Sequence, residues 1–356
     1  MGNKITVIGA GNGGQAIAAY CASIGLPVCL YNRNIEKFPA KNQQLQIELR
    51  GAIRAKAIIS LLTDNIQDAV EFGDIIMVVT TATAHREIAE RICPYLRDGH
   101  IIVLNPGRTC GVLDFNAVLS KKKNIRFYLS EAQTLIYACR ELRPGIINII
   151  GVKNKVLLAG RTKQETEYIL QKIQTIFPSF IPASNLLETG LENIGAIFHP
   201  PIVIFNAASI ERNNEFYFYR DMTPEISDFI IELDKERLRT GAAYNISLMP
   251  VFEWIKYAYP STYGNTLCER MKNNPAYYDI KGPGSLFTRQ LTEDIPTGLI
   301  PISELAAKAK VETPLMNAII TISSSLLGVD FRKIGRTLQN MGLQNLNKED
   351  IINAIS

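Results

Sequence analysis

The chain has 356 residues, more than one compact core usually organises, which sets an expectation of two domains of roughly 150 to 200 residues each. Its composition, 47% hydrophobic and 20% charged, is ordinary for a folded protein, and no apolar run approaches the roughly 18 residues that a membrane-spanning helix needs. Lys plus Arg (38) exceeds Asp plus Glu (34) only slightly, and the surplus is spread along the chain, so neither nucleic acid nor membrane is expected as a partner.

Six cysteines, at positions 21, 29, 93, 110, 139 and 268, stand singly with no CxxC pair and no histidine at zinc spacing. They read as reduced thiols of a cytoplasmic protein without a metal site. The opening MGNKIT matches the acylation pattern at Gly2, but Lys4 to Ile8 read as a buried strand and leave almost no tether for an acyl chain, so the match is rejected. No signal peptide precedes that strand, which again points to the cytoplasm.

In chain order, KITVIGAG reads as a strand and turn, QAIAAYCASIG as a helix and VCLYNR as a second strand. DIIMVVTT follows, then a helix over Glu87 to Leu96 interrupted near its end by Pro94, then HIIVLNP and IRFYLSEA. IINIIGV and KVLLAG continue the strand signals, and Thr162 to Phe177 read as an amphipathic helix. Such alternation argues for a parallel sheet wrapped by helices. After PSFIPASN, residues 178–185, the pattern becomes helical: Ser184 to Ile210, Thr223 to Arg239, Leu248 to Ala258, Ile302 to Ala309 and Pro314 to Leu327. The expectation is an α/β protein with a Rossmann dinucleotide-binding domain over residues 1–182 and an all-helical substrate-binding domain over 183–356.

Gly9, Gly11 and Gly14 in GAGNGG sit between the first strand and its helix, the context in which this fingerprint cradles a pyrophosphate, with Asn12 at the helix start. The second strand ends in Asn32 and Arg33 where an NAD-selective chain would place an acidic residue. A guanidinium suits a 2′-phosphate, so NADP(H) is expected, with NAD(H) as the alternative.

Three histidines are available as acid/base groups. His100 reads as part of an exposed turn, and His85 as a helix-start or cofactor-lining residue. His199 lies in an apolar stretch in which Glu192, His199 and Asn206 recur every seven residues as one polar stripe, broken by Pro200 and Pro201. On residues alone it is equally a satisfied core histidine or an acid/base group. A partner carboxylate would be sought in FTRQLTEDIPTGLIPIS, where Arg289, Glu293 and Asp294 lie, though spacing alone also fits a surface turn. Tyr257, Tyr259, Tyr263, Tyr277 and Tyr278 read mainly as core or interface, with a pocket lining as the other option.

Several longer segments now carry a resemblance: LNPGRTCGVLDF (104–115), SEAQTLIYACR (130–140), NIGAIFHP, YYDIKGPGS, TEDIPTGLIPIS and LGVDFRKIGRTLQNMGL. With GAGNGG, they make the chain resemble the opine dehydrogenases of the octopine/nopaline dehydrogenase family over nearly its whole length. The resemblance implies a second domain in the 6-phosphogluconate dehydrogenase-like arrangement. It also implies reductive condensation of a 2-oxo acid with an amino acid, with His199 and Asp294 as a catalytic dyad. Arg289 and Asn206 are then expected to contact substrate, and Asn105 and Thr134 to line the cofactor crevice. A 2-hydroxy-acid dehydrogenase of the related superfamily and a non-catalytic NADP(H) sensor stand as alternatives; the first is disfavoured because Ser184 to Ile210 contains no lysine. The apolar helices after residue 300 could support a homodimer.

Overall fold

Short runs of β-branched and apolar residues need no polar face when both sides of a sheet are covered, and such runs make the strands of the first unit. The computed structural model describes residues 4–39, 44–122 and 124–355. Its strands are β1 (Ile5–Ile8), β2 (Val28–Tyr31), β3 (Leu45–Gly51), β4 (Ala55–Ile59), β5 (Leu61–Thr63), β6 (Ile75–Val78), β7 (Ile101–Leu104), β8 (Tyr128–Ala132), β9 (Tyr137–Arg143), β10 (Ile146–Val152), β11 (Val156–Gly160) and β12 (Phe180–Pro182). Gly2, in the acylation-like string, lies outside the described residues.

One sheet of eight strands has the order β12-β11-β8-β7-β6-β1-β2-β5. β1 is parallel to β2 on one side and to β6 on the other, with Ile5 level with Val28 and Ile75. The chain therefore leaves β1 in one direction and returns on its other flank, which opens a crevice beyond the carboxyl ends of β1 and β6. Parallel pairing extends to β5 and to β8, where the expected arrangement ends because β11 runs antiparallel to β8.

Alternate side chains divide the core into two layers, as a period of two requires. Ile5, Val7, Leu30 and Met77 face the helix Asn12–Ser23, while Ile8, Cys29, Tyr31 and Val78 face the helices Ile66–Phe72, His85–Ile92 and Gly111–Leu119. A second sheet, β4-β3-β10-β9, covers the outer side of Asn12–Ser23, so Ala16 to Ala19 are fully buried. The sequence reading lacks this sheet: IINIIGV is β10, paired with β9 and β3 instead of continuing the main sheet.

Two further expectations are corrected in this unit. The helix expected over Glu87 to Leu96 begins at His85 and ends at Ile92, giving way to a 3₁₀ turn over Cys93–Tyr95 where Pro94 intervenes. His100 is 1% exposed, not a surface residue. Its Nδ1 accepts from the Arg97 backbone N–H at 3.2 Å, and burial, reinforced by the Arg97 charge, pushes the imidazole down to about 4.

Contacts divide the chain into Met1–Thr189 with Ile355–Ser356, and Gly190–Ala354. Among its described residues the second unit is helical, apart from an isolated bridge between Tyr217 and Lys281. The helical stretch expected over Ser184 to Ile210, with its break at Pro200 and Pro201, is three helices, Leu186–Leu191, Ile194–Phe205 and Ala207–Glu211, and both prolines lie inside the second instead of dividing it. The long helix Pro224–Ala243 starts where the Thr223 side chain accepts from the Ile226 N–H. It buries Arg237 completely, and that guanidinium donates to Asp234 at 2.7 Å and to the carbonyls of Leu191 and Met249 at 3.1 and 2.6 Å. A buried guanidinium needs such partners. No helix among the described residues is long and apolar enough to cross a membrane.

Candidate active site

In the first unit the glycine turn is explained by what a Cβ would meet. At Gly9 (φ +105°) it would lie 2.6 Å from the Val79 carbonyl oxygen, and at Gly14 1.7 Å from the Gly9 carbonyl oxygen. Those two glycines make the turn and the close helix packing. At Gly11 a Cβ would meet nothing within 4 Å, which leaves open space for a ligand to approach the backbone. Gly11 caps the helix Asn12–Ser23 with no side-chain hydrogen bond and no acidic residue in the first turn, so its N–H groups and positive dipole end are presented to an anion. These features fit a dinucleotide pyrophosphate. Asn12 opens the helix, with its Oδ1 accepting from the Glu141 N–H at 3.3 Å.

Asn32 and Arg33 follow β2 directly. The Asn32 amide donates to the Asn34 carbonyl at 2.6 Å, and Arg33 is exposed. Glu87 lies 3.5 Å from Arg33 and 3.7 Å from Arg91, so one carboxylate sits between two guanidiniums. The sequence reading missed Glu87, which comes from a helix more than fifty residues downstream. Asn105 and Thr134 follow the carboxyl ends of β7 and β8. Asn105 is buried and donates to the Val103 carbonyl at 3.0 Å. Thr134 accepts from Lys153 Nζ at 2.7 Å, and burial, then the nearby Arg108, lowers that ammonium to about 8. His85 opens its helix, fully buried, with its ring edge-on to Phe115 at 6.2 Å.

The second unit brings together residues 95 positions apart: His199 Nδ1 lies 2.7 Å from Asp294 Oδ2. His199 is in the helix Ile194–Phe205, which passes through Pro200 and Pro201. Those prolines lack the N–H groups that would bond back to the Ala196 and Ile197 carbonyls. Asp294 sits between the short helix Arg289–Thr292 and a π-helical turn, Ile295–Leu299. Gly298 in that turn lies against the His199 helix so closely that a Cβ would be 2.5 Å from the Ala196 Cβ. Glycine against alanine lets the two segments approach until the carboxylate reaches the ring. The His199 side chain is 19% exposed and Asp294 1% exposed, so the carboxylate is enclosed while the ring is partly exposed.

An ionised carboxylate only accepts, so Nδ1 carries the proton toward Asp294 and Nε2 is left as an acceptor. That atom lies 2.9 Å from the hydroxyl of Tyr219, a buried residue that the sequence reading did not single out. Tyr219 stacks on Tyr277 with centroids 4.3 Å apart, and Tyr259 meets Tyr277 edge-on at 4.9 Å. Burial pushes the Tyr277 phenol well above its ordinary value. Tyr257, Tyr263 and Tyr278 are exposed, which removes the core option from their reading as core or interface.

The other polar residues singled out in the sequence have partners of their own. Glu192 precedes the His199 helix and its Oε1 accepts from the Met249 N–H at 2.8 Å, so the seven-residue polar stripe does not exist on one helix. Asn206 ends that helix, its amide donating to the Ile202 carbonyl at 2.8 Å. Arg289, 64% exposed, pairs with Glu293 at 3.2 Å one turn before Asp294. Among the described residues no cluster of His, Cys, Asp and Glu could hold a metal ion.

Comparisons with known proteins agree across the whole chain. Residues 182–327 match the alpha-helical domain of NAD/NADP octopine/nopaline dehydrogenase, and residues 4–107 match the N-terminus of NAD-dependent glycerol-3-phosphate dehydrogenase. An opine dehydrogenase from Arthrobacter sp. (strain 1C) is 35% identical over 98% of both chains. Vitopine synthase from Allorhizobium ampelinum is 22% identical over 99% of both. The solved octopine dehydrogenase with NADH and L-arginine superposes with a TM-score of 0.82 at 20% identity, covering 98% of each chain. NADP+-bound yersinopine dehydrogenase gives 0.76 at 14% identity, covering 99% of this chain and 97% of that one.

Proposed function

The chain belongs to the opine dehydrogenases of the octopine/nopaline dehydrogenase family, and from that premise we propose how its own residues divide the reaction. It is an NAD(P)-dependent dehydrogenase acting on CH–NH donors, condensing an amino acid with a 2-oxo acid reductively. In our reading the first unit holds the cofactor and the second supplies the acid/base chemistry. The glycine turn and the uncapped helix start hold the pyrophosphate through Gly9, Gly11, Asn12 and Gly14. A bound reduced nicotinamide supplies the hydride that reduces the imine carbon.

The observation that carries the site assignment is the 2.7 Å pair between His199 and the enclosed Asp294. Asp294 fixes the ring by holding Nδ1 and stabilises the charge when Nε2 is protonated. His199 then supplies the proton that departing water needs as the imine forms, and takes one back in the reverse direction. Arg289 is one turn away in sequence and anchors a substrate carboxylate, exchanging its bond to Glu293 for that ligand.

NADP(H) is the preferred cofactor in this reading. Arg33 and Arg91 outweigh the single Glu87 between them, so a 2′-phosphate meets a net positive pair. Asn105 and Thr134, following two central strands, line the crevice. Six reduced cysteines suit a cytoplasmic location, and exposed Ile322, Leu326 and Ile334 suit a homodimer.

His199→Ala tests the assignment. The expected result is turnover lower by ~10²-fold or more, the scale of losing a general acid, with NADPH affinity nearly unchanged. Unchanged turnover removes His199 from the mechanism.

A further inference from the structure

Both ring nitrogens of His199 are engaged: Nδ1 with Asp294 at 2.7 Å and Nε2 with the Tyr219 hydroxyl at 2.9 Å. An imidazole nitrogen has one in-plane direction for a hydrogen bond, and at Nε2 the phenol takes it. A substrate cannot exchange a proton with Nε2 along that line while Tyr219 stays where it is. Tyr219 is also held in place. Its ring lies face to face with Tyr277 at 4.3 Å and an interplanar angle of 22°, edge-on to Phe218 at 4.9 Å, and it is 8% exposed. Swinging the ring aside would give up these contacts, whereas passing a proton through the hydroxyl requires no ring movement. A phenol donates and accepts through one oxygen, so it can receive a proton from one side as it gives one up on the other, without ever carrying a charge.

We propose that Tyr219 is the proton relay between the His199–Asp294 pair and the substrate, an inference that rests on the acid/base role assigned to that pair. In the condensing direction the amino acid nitrogen has added to the 2-oxo acid to give a carbinolamine. The Tyr219 O–H bond breaks as its proton goes to the carbinolamine hydroxyl, and the Tyr219 oxygen takes the proton from Nε2 of the His199 imidazolium. The C–O bond breaks, water leaves, and the nitrogen lone pair forms the C=N bond of a protonated imine. His199 ends neutral, Tyr219 ends as it began and Asp294 stays ionised. The imine is then ready for hydride, and solvent restores the proton on His199. Around the relay, Tyr277 and Tyr259 form an aromatic wall, and burial holds both phenols in the neutral form.

The test compares three forms of the full-length enzyme in single-turnover NADPH oxidation with both substrates: wild type, Tyr219→Phe and His199→Ala. Tyr219→Phe keeps the ring and its stacking but removes the oxygen. The relay predicts a loss of roughly 10²-fold in the rate of the proton-dependent step, with the KM for NADPH and amino acid little changed. It also predicts that the dependence of rate on deuterium fraction, curved in wild type because two protons move together, becomes linear in Tyr219→Phe. A Tyr219→Phe enzyme at full rate, or one whose deuterium dependence keeps its wild-type curvature, overturns the relay. Loss in His199→Ala alone leaves the acid/base pair standing without the relay, whereas full activity in His199→Ala overturns the pair itself. Should Tyr219→Phe fail to fold, difluorotyrosine at position 219 keeps both ring and hydroxyl while making the phenol more acidic. The relay then predicts that the alkaline limb of the rate profile moves to lower pH, and an unmoved limb counts against it.

Discussion

At the scale of single residues, the proposed acid/base centre depends on what His199 touches on each side of its ring. A carboxylate at one nitrogen sets the tautomer, and the other nitrogen faces a phenol. The proposed 2′-phosphate site depends on a similar balance, with Arg33 and Arg91 sharing Glu87. Arg33→Ala removes one of two cations from a site that would receive a 2′-phosphate. A charge-assisted hydrogen bond is worth about 1.5 to 3 kcal/mol, so the KM for NADPH should rise roughly 10- to 100-fold while that for NADH changes little. Equal weakening of both cofactors, measured by steady-state kinetics, contradicts the 2′-phosphate assignment. His199 was legible as a candidate because only three histidines exist and one lies in an apolar stretch, although the residues alone left a satisfied core histidine equally open. Tyr219 was not legible, because in the run FYFYR it looks like every other core aromatic until the fold sets it beside the imidazole. His100 was misread for the opposite reason: a polar turn sequence, RDGH, does not reveal that the side chain turns inward.

At the scale of elements, the dyad is built by close approach of the helix Ile194–Phe205 and the π-helical turn Ile295–Leu299. Gly298 against Ala196 sets that approach. Gly298→Ala would place two methyl-sized groups 2.5 Å apart, so one segment must move back. The cost expected for such overpacking is about 1 to 3 kcal/mol of stability. Because Asp294 stands just before the same turn, turnover should fall more than NADPH affinity. Thermal unfolding and kinetics together check this, and a variant with wild-type turnover shows that the contact does not position the carboxylate. Sequence periodicity could not find this arrangement. It located the strands β1, β2, β6 and β7 well, since buried parallel strands are continuous apolar runs. It joined Glu192, His199 and Asn206 into one stripe because heptad spacing is blind to a break before Ile194. It also passed over β3 and β4, whose alternating pattern in LQIELRG and AKAII belongs to a second sheet that covers the first helix from outside.

At the scale of the whole molecule, the chain has two units: a doubly wound sheet whose strand order turns back at β1, with a glycine turn after that strand, and a helical unit carrying the His199–Asp294 pair. The division into a dinucleotide-binding α/β part and a helical part was readable from the alternation of strands and helices and from where it stops. The pairing of two residues 95 positions apart was not, because no local pattern encodes it. Only the longer family-like segments pointed to both members. The central claim is a condensation that needs two organic substrates, and one measurement tests it most directly. NADPH oxidation is followed with a panel of 2-oxo acids, each with and without amino acids, and the product is weighed by mass spectrometry. The account predicts oxidation only when both partners are present, with a product mass equal to oxo acid plus amino acid, less water, plus two hydrogens. Oxidation with an oxo acid alone, yielding a hydroxy acid, would contradict it, as would tight NADPH binding with no turnover across the panel.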